Sequence, residues 1–240
     1  MSSPREQCLN VARVLKKTDR YKMMISSMRE AIKFDPKLNA EERNLIARPY
    51  KALINERRES LRVISAAIEK ENSDTSPKVL KFRAFKSKVA TELSNICNEL
   101  IILIESKLIP NVVDQFSKIF FLQLKADVYR YLCELADITE IDDFIEKATD
   151  SYNQAINLCL ENFSKNHPTS LRVHLNYSVF LFEIMKKKQE ALSLLEAIFS
   201  DCSKEIKEPQ ALTEAQQSES RMLLQLICDN LALWQKGNTE

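Results

Sequence analysis

The chain has 240 residues, with 35 Lys and Arg against 34 Asp and Glu and a formal net charge of +1. That balance excludes a general nucleic-acid or membrane-surface binder, which carries a basic excess, so any phosphate site must be local. A single glycine in the whole chain excludes a P-loop, a Rossmann fingerprint and a normal set of β-hairpins, all of which need residues with freedom at positive φ.

With 29% charged residues and many Leu, Ala, Glu and Lys, the chain reads as all-α. The periodicity predicts nine helices, over about 3–18, 19–35, 40–72, 77–107, 111–136, 141–163, 168–186, 188–204 and 212–235. In the second, Tyr21, Met24, Met28 and Ile32 recur at steps of three and four, an apolar stripe that faces a core. Asn39 with Glu42 has the spacing of a capping box opening the third. Pro49 lies inside that pattern, where it costs about 3 kcal/mol, so a bend or a late helix start is expected there. "NSDTSP" (72–77) divides the third helix from the fourth, with Ser76 as N-cap and Pro77 in the first helical position. Phe82, Phe85, Val89, Leu93, Ile96, Leu100 and Leu103 then form a second core stripe. "IPN" (109–111), "ADITEIDD" (136–143), "KNHP" (165–168) and "CSKEIKEP" (202–209) are further breaks, and Thr213 with Gln216 resembles another cap. Short connections predict antiparallel neighbours.

The six cysteines, Cys8, Cys97, Cys133, Cys159, Cys202 and Cys228, form no C-x-x-C pair, and neither His167 nor His174 stands near one. They read as reduced, packed thiols rather than zinc ligands, which places the protein in the cytosol or nucleus. "MSSPREQ" has no apolar signal region, and the longest apolar run, "LIILI", is too short to span a bilayer. The glycosylation sequons at Asn162 and Asn176 are therefore read as silent.

Four stretches carry candidate chemistry. In "RPYKALINERRESLRV" (48–63), Lys51 and Arg58 are seven apart, about two helical turns, and project from one face. In "KADVYRYL" (125–132), Asp127 and Arg130 are three apart and can pair, and Tyr131 adds a hydroxyl. "LNYSVF" (175–180) puts Leu175 and Val179 on one face bordered by Asn176. "LLQLICDNLALW" (223–234) sets Leu223, Leu226, Asn230 and Leu233 along one side, ending in Trp234. Taken singly, each is a solvated charged face or an ordinary core stripe.

Taken together, these stretches resemble the 14-3-3 proteins. "RNLIARPYKALINERRESLRVIS" (43–65) is similar to the first signature of that family and "LLQLICDNLALW" to the second. "ATELSNICNEL", "LIPN", "FFLQLKADVYRYL" and "HPTSLRVHLNYSVFLFEI" follow the family order between them. The resemblance covers about residue 5 to Trp234. It implies one helical domain over 1–235, nine antiparallel helices forming a cup with an amphipathic groove. Helices within 3–72 and part of 77–107 would serve dimerisation, 111–235 would supply most of the groove, and 236–240 would be a short tail. The implied function is non-catalytic binding of phosphoserine or phosphothreonine motifs in client proteins, with no cofactor or metal, no nucleic acid and no membrane. The implied state is a homodimer or a heterodimer with a paralogue. At matching positions, Lys51, Arg58, Arg130 and Tyr131 would hold the phosphate. Asn176 and Asn230 would grip the peptide backbone, and Glu183 and Trp234 would stand on the same wall. Leu175, Val179, Leu223, Leu226 and Leu233 would form the apolar side. Arg20, Ser60, Phe85 and Glu92 would lie at the dimer interface.

The sequence also departs from the family pattern. Gln123 stands for a usual lysine and Cys228 for a usual arginine, so the groove loses positive charge. Leu61 replaces a tryptophan and Pro49 a small apolar residue. Met23 and Gln7 replace acids, removing two interprotomer bridges while Arg20 and Glu92 keep a third. The chain stops six residues after Trp234, short of the acidic tail common in the family. A TPR-like repeat scaffold is the alternative suggested by "SYNQAINLCLENF" and "QEALSLLEAIFSD", although no 34-residue period appears. A degenerate family member with another ligand is a further alternative. An enzyme finds no gathered nucleophile, base and oxyanion donors.

Overall fold

The computed structural model describes residues 3–71, 76–205 and 212–236. Among these the regular structure is helical: α1 (Pro4–Lys16), α2 (Tyr21–Phe34), α3 (Ala40–Glu69), α4 (Pro77–Leu103), α5 (Gln115–Cys133), α6 (Ile141–Asn162), α7 (Pro168–Glu183), α8 (Lys188–Glu205) and α9 (Glu214–Lys236). These match the nine predicted spans, with most ends displaced by a few residues. None of the described helices is long and apolar enough to cross a membrane. Parts of two expected breaks, 72–77 and 202–209, and the tail at 236–240 lie outside the described residues.

The caps read from the sequence are formed. The Asn39 side chain accepts from the Glu42 amide at 3.0 Å and Glu42 accepts from the Asn39 amide at 3.0 Å, so two orphan donors at the start of α3 are satisfied reciprocally. Ser76 accepts from the Val79 amide at 3.2 Å, with Pro77 leading α4. Thr213 and Gln216 make the same reciprocal pair at α9, at 3.0 and 3.3 Å.

Two expectations need correction. α3 begins at Ala40 and runs through Pro49 unbroken, so there is no late start. Pro49 is buried between Ile46, Tyr50 and Leu53, all buried too, and that apolar face holds the helix past the missing backbone donor. The break expected at 109–111 is present, but the fourth helix was expected to run to 107 and the fifth to begin at 111. Instead α4 widens into a single π turn, Ile104–Leu108, which buries both Ile104 and Leu108, followed by a 3-10 turn, Ile109–Asn111. α5 starts later because Asp114 accepts from both the amide and the hydroxyl of Ser117 at 2.7 Å, and this cap outcompetes the earlier start.

The chain forms two compact units, residues 1–117 and 118–240. In the first, α2 packs on α1 and α3, and α3 on α4, around Leu9, Met24, Met28, Ile46, Ile54, Leu93 and Leu100, all essentially inaccessible. Val89, Leu93, Leu100 and Leu103 obey the predicted stripe of α4, and Phe82 is half-buried, whereas Phe85 is 55% exposed although Val79, nearer the helix start, is fully buried. In the second unit, α7 packs on α6, α8 and α9. Its core joins Leu171, Leu175, Leu181, Leu195, Ile198, Ile227 and Trp234.

With the lone Gly237 outside the described residues, tight turns must use other residues at positive φ. Asp19 after α1 has φ 51° and Lys186 after α7 has φ 57°. The Lys187 amide closes onto the Leu181 carbonyl at 2.9 Å across the second of these turns. A left-handed residue with a Cβ costs roughly 1–2 kcal/mol, part of which glycine returns through its larger unfolded-state entropy. Lys186→Gly, at an exposed position, is predicted to raise the melting temperature by about 1–3 °C in differential scanning calorimetry. A fall would show that the turn is not strained.

Candidate functional site

Each unit carries part of the predicted constellation. In the first, Lys51 and Arg58 lie on α3, one exposed and the other half-buried. Their spacing keeps them on one side of the helix, flanking the buried edge formed by Ile46, Tyr50, Leu53 and Ile54.

In the second unit the site is built on α5, α6 and α7. Asp127 is 3% exposed. Tyr152 of α6 donates its hydroxyl to Asp127 Oδ1 at 2.7 Å, and Asn176 Nδ2 of α7 donates to both carboxylate oxygens at 3.0 Å. Its hydrogen bonds thus go to α6 and α7 rather than to Arg130 on its own helix, as the sequence had suggested. Burial, then the adjacent carboxylate of Asp127, push the Tyr152 phenol well above its usual range, so it stays a donor. An ionised carboxylate only accepts, so the amide nitrogen of Asn176 must face it. The amide oxygen of Asn176 is left pointing away, oriented to accept a main-chain N–H. The residue that sequence reasoning missed is therefore Asp127 in its role as orienter; a buried acid on an apolar helix face was the available signal.

Arg130, 9% exposed, follows one turn along α5. Its guanidinium stacks on the Tyr131 ring at 4.6 Å, and Nη1 lies 3.7 Å from Glu183 Oε2 on α7. Its buried Nε has no hydrogen-bond partner among the described residues. Burial opposes its charge, but the phenols of Tyr152 and Tyr131 and the carboxylates of Asp127 and Glu134 outweigh that, and the pKa stands above the ordinary arginine value. This is a desolvated permanent cation with donor capacity to spare, the arrangement that best rewards an oxyanion.

The apolar residues divide. Leu226 and Leu233 on α9 are 51% and 66% exposed and form an outward stripe with half-buried Asn230 between them. Val179 on α7 is half-buried. Leu175, Leu223 and Trp234 are instead almost wholly buried in the core of this unit, where the indole stacks on Phe182 at 4.2 Å. They shape the wall from behind. Gln123, in place of a family lysine, is buried at 5% exposure. His167, unassigned from sequence, caps α7 by accepting from the Thr169 amide at 3.2 Å.

Of the predicted dimer residues, Arg20 and Phe85 are exposed and Ser60 is half-buried with its hydroxyl on the Glu56 carbonyl at 2.8 Å. Glu92 is held by Arg57 of the same chain at 3.2 Å.

A desolvated arginine, an amide with a fixed orientation and an exposed leucine stripe on neighbouring helices define a helical protein built to bind rather than to transform. Comparison with known proteins gives the family. A 14-3-3 protein family model matches residues 11–235. The chain is 35% identical over 234 residues to 14-3-3-like protein 2 of Caenorhabditis elegans, covering 98% of this chain and 93% of the relative. It is 36% identical over 233 residues to human 14-3-3 protein eta, covering 96% and 94%. It is 35% identical over 236 residues to 14-3-3-like protein RA215 of Solanum tuberosum, covering 98% and 92%. The chain belongs to the 14-3-3 family, whose members are non-catalytic adaptors that bind phosphorylated client proteins and form dimers. The repeat-scaffold reading is thereby set aside.

Asp127→Asn places an amide NH2 or a single acceptor against two donors. We predict a loss of about 1–3 kcal/mol in denaturant unfolding, the cost of a buried polar group left unsatisfied. Unchanged stability would mean that Asp127 does not orient Tyr152 and Asn176.

Proposed function

We propose that Lys51, Arg58, Arg130 and Tyr131 are the ligands of a client's phosphoserine or phosphothreonine in this chain. Asn176 and Asn230 hold the client backbone. Glu183, Val179, Leu226 and Leu233 meet its side chains, with Leu175, Leu223 and Trp234 behind them. The observation that carries the reading is Arg130: a guanidinium nine-tenths buried, with an Nε that has no hydrogen-bond partner among the described residues and with Glu183 only at the edge of ion-pair distance.

A phosphoserine brings about −1.5 to −2 charges and three strong acceptor oxygens. Each charge-assisted hydrogen bond contributes about 1.5–3 kcal/mol net. A few of these, set against the entropy of ordering an extended client, yield moderate affinity at one site. Two sites on one dimer raise avidity by about 10²–10⁴, which is the advantage of a dimer to an adaptor acting in the cytoplasm or nucleus. Arg58→Gln and Arg130→Gln are each predicted to weaken binding of a phosphoserine peptide at least about tenfold by calorimetry, with the unphosphorylated peptide weak throughout. Equal binding of both peptide forms by the unaltered protein would identify a family member with a different ligand.

The dimer, homotypic or with a paralogue, is assigned to the first unit. Val14 of α1, Met23 of α2 and Phe85 of α4 expose 63%, 57% and 55% of their surface there, apolar area that favours burial. Because an isologous interface uses each residue twice, Phe85→Glu is predicted to raise the dimer dissociation constant about 100-fold or more in sedimentation analysis. A variant still dimeric at the same concentration would move the interface elsewhere.

A further inference from the structure

Among the ion pairs of the second unit that the site just described does not use, one joins α7 to α9. Arg172 on α7 contacts Glu219 on α9 through its Nη2 and the carboxylate Oε1. Neither is a random surface charge. Arg172, Asn176, Val179 and Glu183 follow one another at steps of four, three and four, so Arg172 extends the face of α7 that carries the client-holding amide. Glu219, Leu223, Leu226, Asn230 and Leu233 follow at four, three, four and three, so Glu219 extends the matching stripe of α9. The pair therefore closes both walls one turn beyond the residues already assigned.

Its position relative to the phosphate is fixed within the unit. Arg130 reaches toward Glu183, on the C-terminal side of Asn176, and Arg172 lies on the N-terminal side. The four residues from Arg172 to Asn176 rise about 6 Å along the helix, or about two residues of an extended chain. The Arg172 side chain is 33% exposed and its partner 42%. Only Nη2 is used among the described residues, which leaves Nε and Nη1 as donors. Burial holds the Arg172 pKa below the ordinary arginine value, with the Asp127 carboxylate opposing that shift.

We propose that Arg172 is a specificity-determining residue that selects clients carrying an aspartate or glutamate about two residues beyond the one held by Asn176, on the side away from Glu183, with Glu219 as its resident competitor. A client carboxylate accepts from the unused guanidinium donors or displaces Glu219. A client lysine at that point meets Arg172 and is disfavoured, so the pair discriminates by repulsion as well as by attraction. The proposal rests on the phosphate-site reading above.

The test uses the whole protein and a set of phosphoserine peptides, neutral apart from one glutamate moved through four positions on each side. Fluorescence anisotropy at low salt is the readout. The unaltered protein is expected to bind about fivefold more tightly when the glutamate occupies one or two adjacent positions on a single side, a size set by partly exposed charge pairs. Arg172→Gln abolishes that preference and leaves the all-neutral phosphopeptide bound as before. Glu219→Gln, which frees the guanidinium, enlarges the preference, and this opposite sign keeps the test decisive if Arg172→Gln folds poorly. A flat response across all positions, or the same preference in Arg172→Gln, overturns the proposal while the phosphate site stands. Failure of the unaltered protein to bind any phosphopeptide overturns both.

Discussion

A carboxylate can be taken out of water only if its lone pairs are filled from within the protein. Asp127 is such a group, and the second unit is organised around filling it. The phenol of Tyr152 and the amide of Asn176 converge on it from two other helices, which ties α5, α6 and α7 together by direction as well as by apolar contact. The same anion offsets the charge of Arg130 one turn away. A buried guanidinium with donors to spare is tolerable there because an acid of opposite sign lies beside it. In the proposed phosphate site, recognition and folding share one buried acid.

The consequence for binding is preorganisation. The Asn176 amide has no freedom to flip, and Arg130 is sandwiched between the Tyr131 ring and the α7 wall. Little rotamer entropy remains to be lost when a client docks. The apolar side follows the same logic. Leu175, Leu223 and Trp234 are locked into the core, while half-buried Val179 and exposed Leu226 and Leu233 keep accessible surface. A wall supported from behind holds its shape without the ligand.

Much of this was legible in the sequence where a local rule decides the outcome. Asn39 with Glu42, Ser76 with Pro77 and Thr213 with Gln216 each satisfy helix-terminal donors from within four residues, so tertiary context had nothing to override. Nine helices followed from periodicity and from the scarcity of glycine. What escaped was set by contacts distant in sequence. Phe85 has the spacing of a core residue but is exposed between buried Val79 and Val89, which the period alone does not reveal. Pro49 invites a late helix start by its own chemistry, yet α3 already begins at Ala40 and the buried residues around Pro49 belong to it. The π turn at Ile104–Leu108 has no local signature. Asp127 looked like a helix-surface partner for Arg130, because spacing cannot reveal that Tyr152 and Asn176 would arrive from elsewhere in the chain. For the candidate site, residue types were readable, but the division of the leucines and Trp234 between groove surface and supporting core required burial to be known.

The stacking of Trp234 on Phe182 has a practical side. It is the single tryptophan of the chain, and it is sealed within the core of residues 118–240. Its emission is therefore an intrinsic optical label for that half of the molecule alone, while helical dichroism sums over both halves. Where the two signals part company along a denaturant titration, the halves are losing structure separately; where they coincide, they melt as one.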